Sequence, residues 1–183
     1  EINVSDFDMI YAGAQKNIGP AGATLVIIKK DIVKKTSRVL PSMLNYQVHM
    51  DKESMFNTPP CFSIYVCMLN LKWLKSQGGV KALEELNNEK AAVLYSEIER
   101  NSLFEGTAAV EDRSIMNPTF TLKDSSLDSK FLELAETKGI SGIKGHRSVG
   151  GFRASMYNAL KKESVLALVA IMQEFEKTNS FNS

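Results

Sequence analysis

The sequence places a glycine-rich loop between two short apolar runs, and this arrangement limits the folds open to the chain. Residues 9–12 and 24–28 are rich in β-branched, aromatic and other apolar side chains, which predicts two buried strands. Residues 13–22 between them contain Gly13, Gly19 and Gly22 together with Lys16. Because glycine permits tight turns and the close approach of a ligand, the pattern indicates a functional loop carried by a buried sheet.

Hydrophobic periodicity predicts the elements of the rest of the chain. Apolar residues at helical spacing predict helices over residues 61–75 and, after Gly78 and Gly79, from residue 80 to about residue 98. The remaining pattern alternates strands and helices, predicted over residues 115–122, 127–138, 152–157 and 163–176. We therefore expect a domain boundary near residue 77, followed by a small α+β domain with helices on one face of a sheet.

Composition narrows the classes of partner. The chain has 22 basic and 21 acidic residues, so no net field attracts it to nucleic acid or to an acidic membrane. No apolar run reaches the roughly 20 residues of a spanning helix, and no signal peptide precedes the first strand, which predicts a cytoplasmic protein. Cys61 and Cys67 fit neither a redox pair nor a zinc site, so we expect buried free thiols and no metal. The chain begins at Glu1 without a methionine, which indicates part of a longer protein.

Lys16 has two possible roles. Between buried strands a lysine loses water, which lowers the pKa of its amine and lets the neutral form attack an aldehyde. The alternative is a solvated loop lysine. The phosphate-binding loop GxxxxGK followed by Ser or Thr does not match, because Lys16 precedes Gly19 and is followed by Asn17.

Two further segments contain groups that suit anions. Asn57 and Thr58 stand just before the predicted helix, where the Thr58 hydroxyl and the free backbone N–H groups could receive an anion, or Thr58 could simply cap the helix. His146 and Arg147 lie in a glycine-bordered loop suited to a phosphate. Alternation places Arg153 opposite the apolar side of its strand, where its fork suits a carboxylate. The alternative is that these three residues are surface cations.

Three segments, AGAQKNIGPAG, FNTPP and GHRSVGGFRAS, resemble motifs of the phosphoserine aminotransferases. They follow one another in the same order as in that family, and the resemblance extends over essentially the whole chain. The resemblance implies an α/β fold type I pyridoxal-phosphate enzyme. Lys16 would hold the cofactor as a Schiff base and transfer the proton, and Gln15 would contact the cofactor phosphate. Asn57 and Thr58 would reach the cofactor phosphate of the neighbouring subunit, which implies a homodimer with shared active sites.

The resemblance also implies the substrates and the domain arrangement. His146 and Arg147 would bind the substrate phosphate, and Arg153 the α-carboxylate. The reaction would exchange O-phospho-L-serine and 2-oxoglutarate for 3-phosphohydroxypyruvate and L-glutamate in serine biosynthesis, and in many bacteria also serve pyridoxine synthesis. Residues 1–76 would end the large cofactor domain, and residues 77–183 would form the small C-terminal domain.

Members of this family are about twice as long as this chain, so either a companion N-terminal chain supplies the missing half, or the chain is a fragment that folds with much of its cofactor face exposed. Two alternatives stay open at this point. One is a catalytically inert fragment or phosphate-binding module. The other is a fold type I aminotransferase or sulfur-transfer enzyme with a non-phosphorylated substrate, against which stand the His146–Arg147 pair and the lack of a catalytic cysteine loop. His49, in a polar segment over residues 45–54, is expected to be solvated.

Overall fold

A computed structural model describes residues 2–147 and 149–179, and the chain divides into two compact units, Glu1–Val80 and Lys81–Ser183. The strands are β1 (Met9–Gly13), β2 (Thr24–Ile28), β3 (Phe104–Gly106), β4 (Thr119–Leu122) and β5 (Phe152–Arg153). The α-helices are α1 (Tyr46–Asp51), α2 (Cys61–Ser76), α3 (Gly79–Arg100), α4 (Asp128–Thr137) and α5 (Lys162–Asn179).

In the first unit, β1 and β2 form an antiparallel pair with Met9 opposite Ile28 and Gly13 opposite Thr24. The sequence placed both strands correctly, but the expected burial is wrong: Tyr11 is 72% exposed and Leu25 is 48% exposed. A sheet of two strands has few neighbours to cover its faces, so apolar strand side chains keep contact with solvent.

Helix α2 follows Pro59 and Pro60, as the sequence predicts, but its packed face is not the expected one. The residues expected to form an apolar face, Ile64, Tyr65 and Met68 among them, are exposed. The face that packs includes Cys67, the one buried residue of this helix. The choice of face is therefore set by what lies against the helix and not by its hydrophobic pattern.

The second unit encloses a core of aromatic side chains between a three-stranded antiparallel sheet, in the order β3-β4-β5, and helices α3, α4 and α5. The Phe131 ring lies 4.9 Å from that of Phe104 and 5.0 Å from that of Phe152, measured between centroids, in edge-to-face geometry that favours aromatic packing. The small α+β arrangement thus matches the sequence-based expectation.

The strands of this unit are shorter than predicted, and β3 was not predicted at all because it has only three residues. The predicted strand over residues 115–122 begins only at Thr119, directly after Pro118, which has no N–H to donate to a ladder. The predicted strand over residues 152–157 ends at Arg153, although the backbone N–H groups of Ala154 and Met156 still donate to the Pro118 and Met116 oxygens at 3.0 and 2.7 Å.

The described residues give two further results. None of their helices combines the length and the hydropathy that a membrane span requires. No group of three or more His, Cys, Asp or Glu side chains among them could hold a metal ion. Both cysteines are free thiols; Cys67 is buried as expected, whereas Cys61 is exposed, so the expectation of burial is wrong for Cys61.

Candidate functional site

The loop that carries Lys16 is closed by its own backbone. The Ala14 N–H donates to the Ala23 oxygen at 2.9 Å, and the Gly19 N–H donates to the Ala14 oxygen at 2.8 Å. Ala14 is buried, so the turn has a fixed base at the end of β1. Gln15 and Lys16 follow this base directly, and both side chains are exposed.

Helix α2 holds the loop from the side. The Asn70 side-chain amide donates to the backbone oxygens of Asn17 and Ile18 at 2.7 and 3.0 Å. The Ser63 hydroxyl donates to the Ala21 oxygen at 2.9 Å. A Cβ at Gly19 would lie 2.6 Å from the Cys67 sulfur, so only glycine lets the loop approach the helix this closely.

Lys16 itself has a φ of +90°, in the left-handed region that disfavours a residue with a Cβ. Such a conformation costs on the order of 1–3 kcal/mol and persists only where the surroundings hold it, a situation typical of functional sites. The expected desolvation of Lys16 is wrong for this chain, since its side chain is exposed. The loop therefore holds the backbone of Lys16, while the residue itself is exposed.

The Asn57–Thr58 segment directly precedes helix α2, which begins at Cys61. The residue at the N-cap of α2 is Pro60, without a side-chain hydrogen bond, so the capping role considered for Thr58 is wrong. The Cys61 N–H is also not free for an anion, because it donates to the Pro59 oxygen at 2.9 Å. Asn57 and Thr58 are both exposed, and the Asn57 amide donates to the Met43 sulfur at 3.0 Å.

In the second unit, a hairpin-like loop carries His146 and Arg147, while Ser148 lies outside the described residues. The Gly145 N–H donates to the Gly151 oxygen at 2.8 Å, and Arg153 at the base donates its N–H to the Ile143 oxygen at 2.8 Å. A Cβ on Gly145 would lie 2.1 Å from the Gly150 oxygen, which makes glycine necessary at this closure.

The cationic side chains of this loop face solvent. His146, Arg147 and Arg153 are exposed, and Arg153 lies opposite Thr119 of β4. Phe152, Ala154 and Met156 are buried, so the predicted alternation along this segment is confirmed. Within the described part of the chain, neither Arg147 nor Arg153 forms an ion pair with a carboxylate. Both guanidinium groups are therefore available to an external anion.

Comparison with known proteins gives the family. The model of the aminotransferase class-V family matches residues 1–168. The chain belongs to the class-V aminotransferase family. A relative from Bacteroides thetaiotaomicron, named phosphoserine aminotransferase, is 61% identical to this chain over 178 residues. The match covers 96% of the chain and 50% of the relative, so the chain spans about half the length of the curated relatives it matches.

Solved structures show the same fold. Phosphoserine aminotransferase from Bacillus circulans subsp. alkalophilus superposes with a TM-score of 0.91 at 42% identity, covering 97% of the chain and 49% of that structure. A phosphoserine aminotransferase from Trichomonas vaginalis with bound PLP gives 0.85 at 39% identity, covering 92% and 48%. The expected α/β fold type I class is thereby confirmed for this chain.

The residues that hold the lysine loop were not predicted from the sequence. Ser63, Cys67 and Asn70 contact the lysine loop, and their i, i+4, i+7 spacing on α2 is the one signal that could have shown a packed helix face. His49 was expected to be solvated in a loop, but it lies on α1, half-buried, with its ring 5.9 Å from that of Phe56.

Proposed function

We propose that this chain is part of a phosphoserine aminotransferase, which exchanges an amino group between O-phospho-L-serine with 2-oxoglutarate and 3-phosphohydroxypyruvate with L-glutamate. The observation that carries the proposal is one glycine-closed loop that bears an exposed His-Arg pair and, at its base, a second exposed arginine. A substrate with both a phosphate and a carboxylate requires two such cationic groups. The 61% identity to a relative of this name supports the same substrates.

The donors of the first unit fit pyridoxal phosphate, the cofactor named in the Trichomonas structure. Lys16 is an exposed residue with a fixed backbone, and a lysine amine is the group that reacts with an aldehyde. The amides of Gln15 and Asn57 and the hydroxyl of Thr58 are exposed hydrogen-bond donors, which suit a phosphate. Pyridoxal phosphate, when bound, supplies an electron-withdrawing ring that weakens the bond between the substrate α-carbon and its hydrogen.

Lys16 has two tasks in this reaction. Its Nζ would hold the cofactor through the aldehyde. Once released by the substrate amine, Nζ would serve as the base that accepts the proton of the substrate α-carbon and then as the acid that gives it back. Because hydrogen bonds hold the backbone of the loop, only the side chain of Lys16 has to move between these two roles.

The cations of the second unit orient the substrate. Arg153 binds the α-carboxylate through its fork, and His146 and Arg147 bind the phosphate. Two fixed anions at opposite ends of a short substrate leave few orientations of its α-carbon. Orientation of this kind contributes to rate by lowering the entropy lost on reaching the transition state.

We also propose an assembly and a cellular role for the protein. Residues 1–76 belong to the large cofactor-binding domain and residues 77–183 to the small domain. The remaining half is supplied by a longer protein or by a companion chain. The enzyme works as a cytoplasmic homodimer in which Asn57 and Thr58 contact the cofactor phosphate of the neighbouring subunit. It acts in serine biosynthesis and, as in many bacteria, in pyridoxine biosynthesis.

A chimaera tests the proposal. The N-terminal half of the Bacteroides thetaiotaomicron relative is joined to this chain, incubated with pyridoxal phosphate and reduced with borohydride. We expect label on Lys16 alone, located by peptide mass, and transaminase activity with phosphoserine. Arg147→Ala should raise the KM for phosphoserine about 10-fold to 100-fold, the size of a lost charge-assisted contact, and leave that for glutamate nearly unchanged. Arg153→Ala should raise both.

Lys144→Ala is the matched control, because Lys144 is an exposed cation of the same loop without an assigned role. It should leave both KM values nearly unchanged. Label scattered over several lysines, or equal effects of Arg147→Ala on both substrates, would contradict the proposed site. A labelled but inactive chimaera would indicate a cofactor-binding module without turnover.

A further inference from the structure

The segment that leads to Asn57 and Thr58 contains a strained turn. Helix α1 ends at Asp51, and Glu53 and Ser54 then have φ values of +50° and +67°. Two consecutive left-handed residues other than glycine are unfavourable, because each Cβ crowds its own backbone. The turn therefore depends on contacts that hold it.

His49 provides these contacts in three ways. Its backbone oxygen accepts the Ser54 N–H at 2.8 Å. Its ring atom Nε2 lies 3.1 Å from the Met43 backbone oxygen. Since a carbonyl oxygen only accepts hydrogen bonds, Nε2 must carry the hydrogen. The same ring meets the Phe56 ring edge to face at 85°.

Both ring contacts lead to Asn57. Phe56 is the residue immediately before Asn57, so the aromatic contact limits where the backbone of Asn57 can lie. Met43 is the residue whose sulfur accepts the Asn57 amide at 3.0 Å, and His49 binds the backbone of that same Met43. His49 thus constrains Asn57 from its backbone side and from its side-chain side.

We propose that His49 is a positioning residue that holds Asn57 and Thr58 as a phosphate-binding pair. His49 does not touch the phosphate; it acts through Met43 and Phe56. The inference rests on the proposed function, because that function assigns the cofactor phosphate to Asn57 and Thr58. Its tests therefore include one readout that needs no cofactor.

Three variants separate the two contacts of the ring. His49→Gln keeps an N–H donor that can reach the Met43 oxygen but loses the ring, and His49→Phe keeps a ring beside Phe56 but loses the donor. His49→Ala loses both without weakening the helix, because alanine has the highest helix propensity. Gln47→Ala is the matched control, since it removes a hydrogen bond to Asp51 on the same helix, away from residues 55–58.

The first readout is hydrogen exchange of the Ser54 and Met55 amides in the 183-residue chain, where their partners are the His49 and Lys52 oxygens. His49→Ala should raise their exchange rates roughly 10-fold, as expected for the loss of contacts of this kind. His49→Gln and His49→Phe should each recover part of the protection, and Gln47→Ala should leave it unchanged. Unchanged exchange in His49→Ala would overturn the proposal.

The second readout is the ratio of the affinities for pyridoxal phosphate and pyridoxal, measured in the chimaera described above. His49→Ala should lower this ratio roughly 5-fold to 10-fold, because only the phosphate contacts change. An unchanged ratio would overturn the positioning role even if exchange increased. If no variant, nor the parent, binds pyridoxal phosphate while exchange in His49→Ala increases, the proposed function fails and His49 retains only its role in holding the turn.

Discussion

The side-chain amide of Asn70 donates to the backbone oxygen of Asn17 at 2.7 Å, across 53 residues of sequence. This bond joins the middle of helix α2 to the residue that follows Lys16, and a second bond from the same amide reaches Ile18. Asn70 thereby holds the strained part of the lysine loop through two backbone oxygens.

Replacing Asn70 should loosen this loop. Asn70→Ala leaves two carbonyl oxygens without their donor and should cost about 1–2 kcal/mol in the free energy of unfolding. Asn70→Asp should cost more at neutral pH, because it places a carboxylate against two carbonyl oxygens. Urea unfolding measures both, with Lys72→Ala, an exposed position of the same helix, as the control. Equal stability of Asn70→Asp and the parent would show that the two bonds do not hold the loop.

Gly19 should not tolerate a side chain. In Gly19→Ala the new Cβ would lie 2.6 Å from the Cys67 sulfur and 3.2 Å from its Cα, so loop and helix must separate. We expect a loss of about 1–3 kcal/mol in stability, the usual cost of overpacking. Adding Cys67→Ala should restore part of it, since the sulfur is the nearer atom. Gly13→Ala is the control, because its nearest atom beyond the chain neighbours lies 3.9 Å away. An equal loss in Gly13→Ala would refute the steric explanation.

Lys90 is fully buried, and its ammonium group donates to the backbone oxygens of Met156, Tyr157 and Leu160 at 3.3, 3.0 and 3.1 Å. Burial lowers the pKa of Lys90. Lys90→Met keeps the length of the side chain but removes all three donors, and should cost about 2–4 kcal/mol of unfolding free energy. Thermal and urea unfolding measure the loss. Lys81→Met, at an exposed position of the same helix, should change stability by less than about 0.5 kcal/mol. A neutral Lys90→Met would show that the carbonyl groups find other partners.

Glu97 makes the stability of the second unit depend on pH. Burial alone would raise the pKa of Glu97, but hydrogen bonds from Arg100, Gln173 and Asn101 outweigh it and hold the pKa below its usual value. A carboxylate with a lowered pKa in the folded state contributes stability above the unfolded pKa of about 4.3, and loses it as the pH falls through the folded value. Unfolding free energies measured from pH 7 down to pH 3 should therefore decrease in this range.

Glu97→Gln should have a lower free energy of unfolding than the parent at pH 7, and this free energy should decrease less than that of the parent as the pH falls. Some slope should stay, because the pKa of Glu176 is also lowered: burial alone would raise it, but hydrogen bonds from Ser102 and Arg100 outweigh that effect. Glu133→Gln, at an exposed position of α4, should follow the parent curve. The same slope in Glu97→Gln and the parent would assign the acid sensitivity to other groups.

The sequence by itself determined the local elements of this protein. The apolar runs predicted β1 and β2, and the helical spacing after Pro60 predicted α2. Alternation along β5 predicted that Arg153 lies on the face of the strand away from the buried Phe152. Short motifs in the sequence also predicted the candidate site residues. These features depend on residues within a few positions of each other, so their signal is complete in a short window of sequence.

Only the tertiary structure decided which faces pack and which groups hold the site. The packed face of α2 is set by the lysine loop, whose contacts with Ser63 and Asn70 join residues more than 40 positions apart. The role proposed for His49 depends on its contacts with Met43 and Phe56. The exposure of β1 and β2 depends on the number of strands in their sheet, which is two. Burial and hydrogen bonding are properties of two surfaces in contact, and the pattern of one segment contains no information about the segment that lies against it.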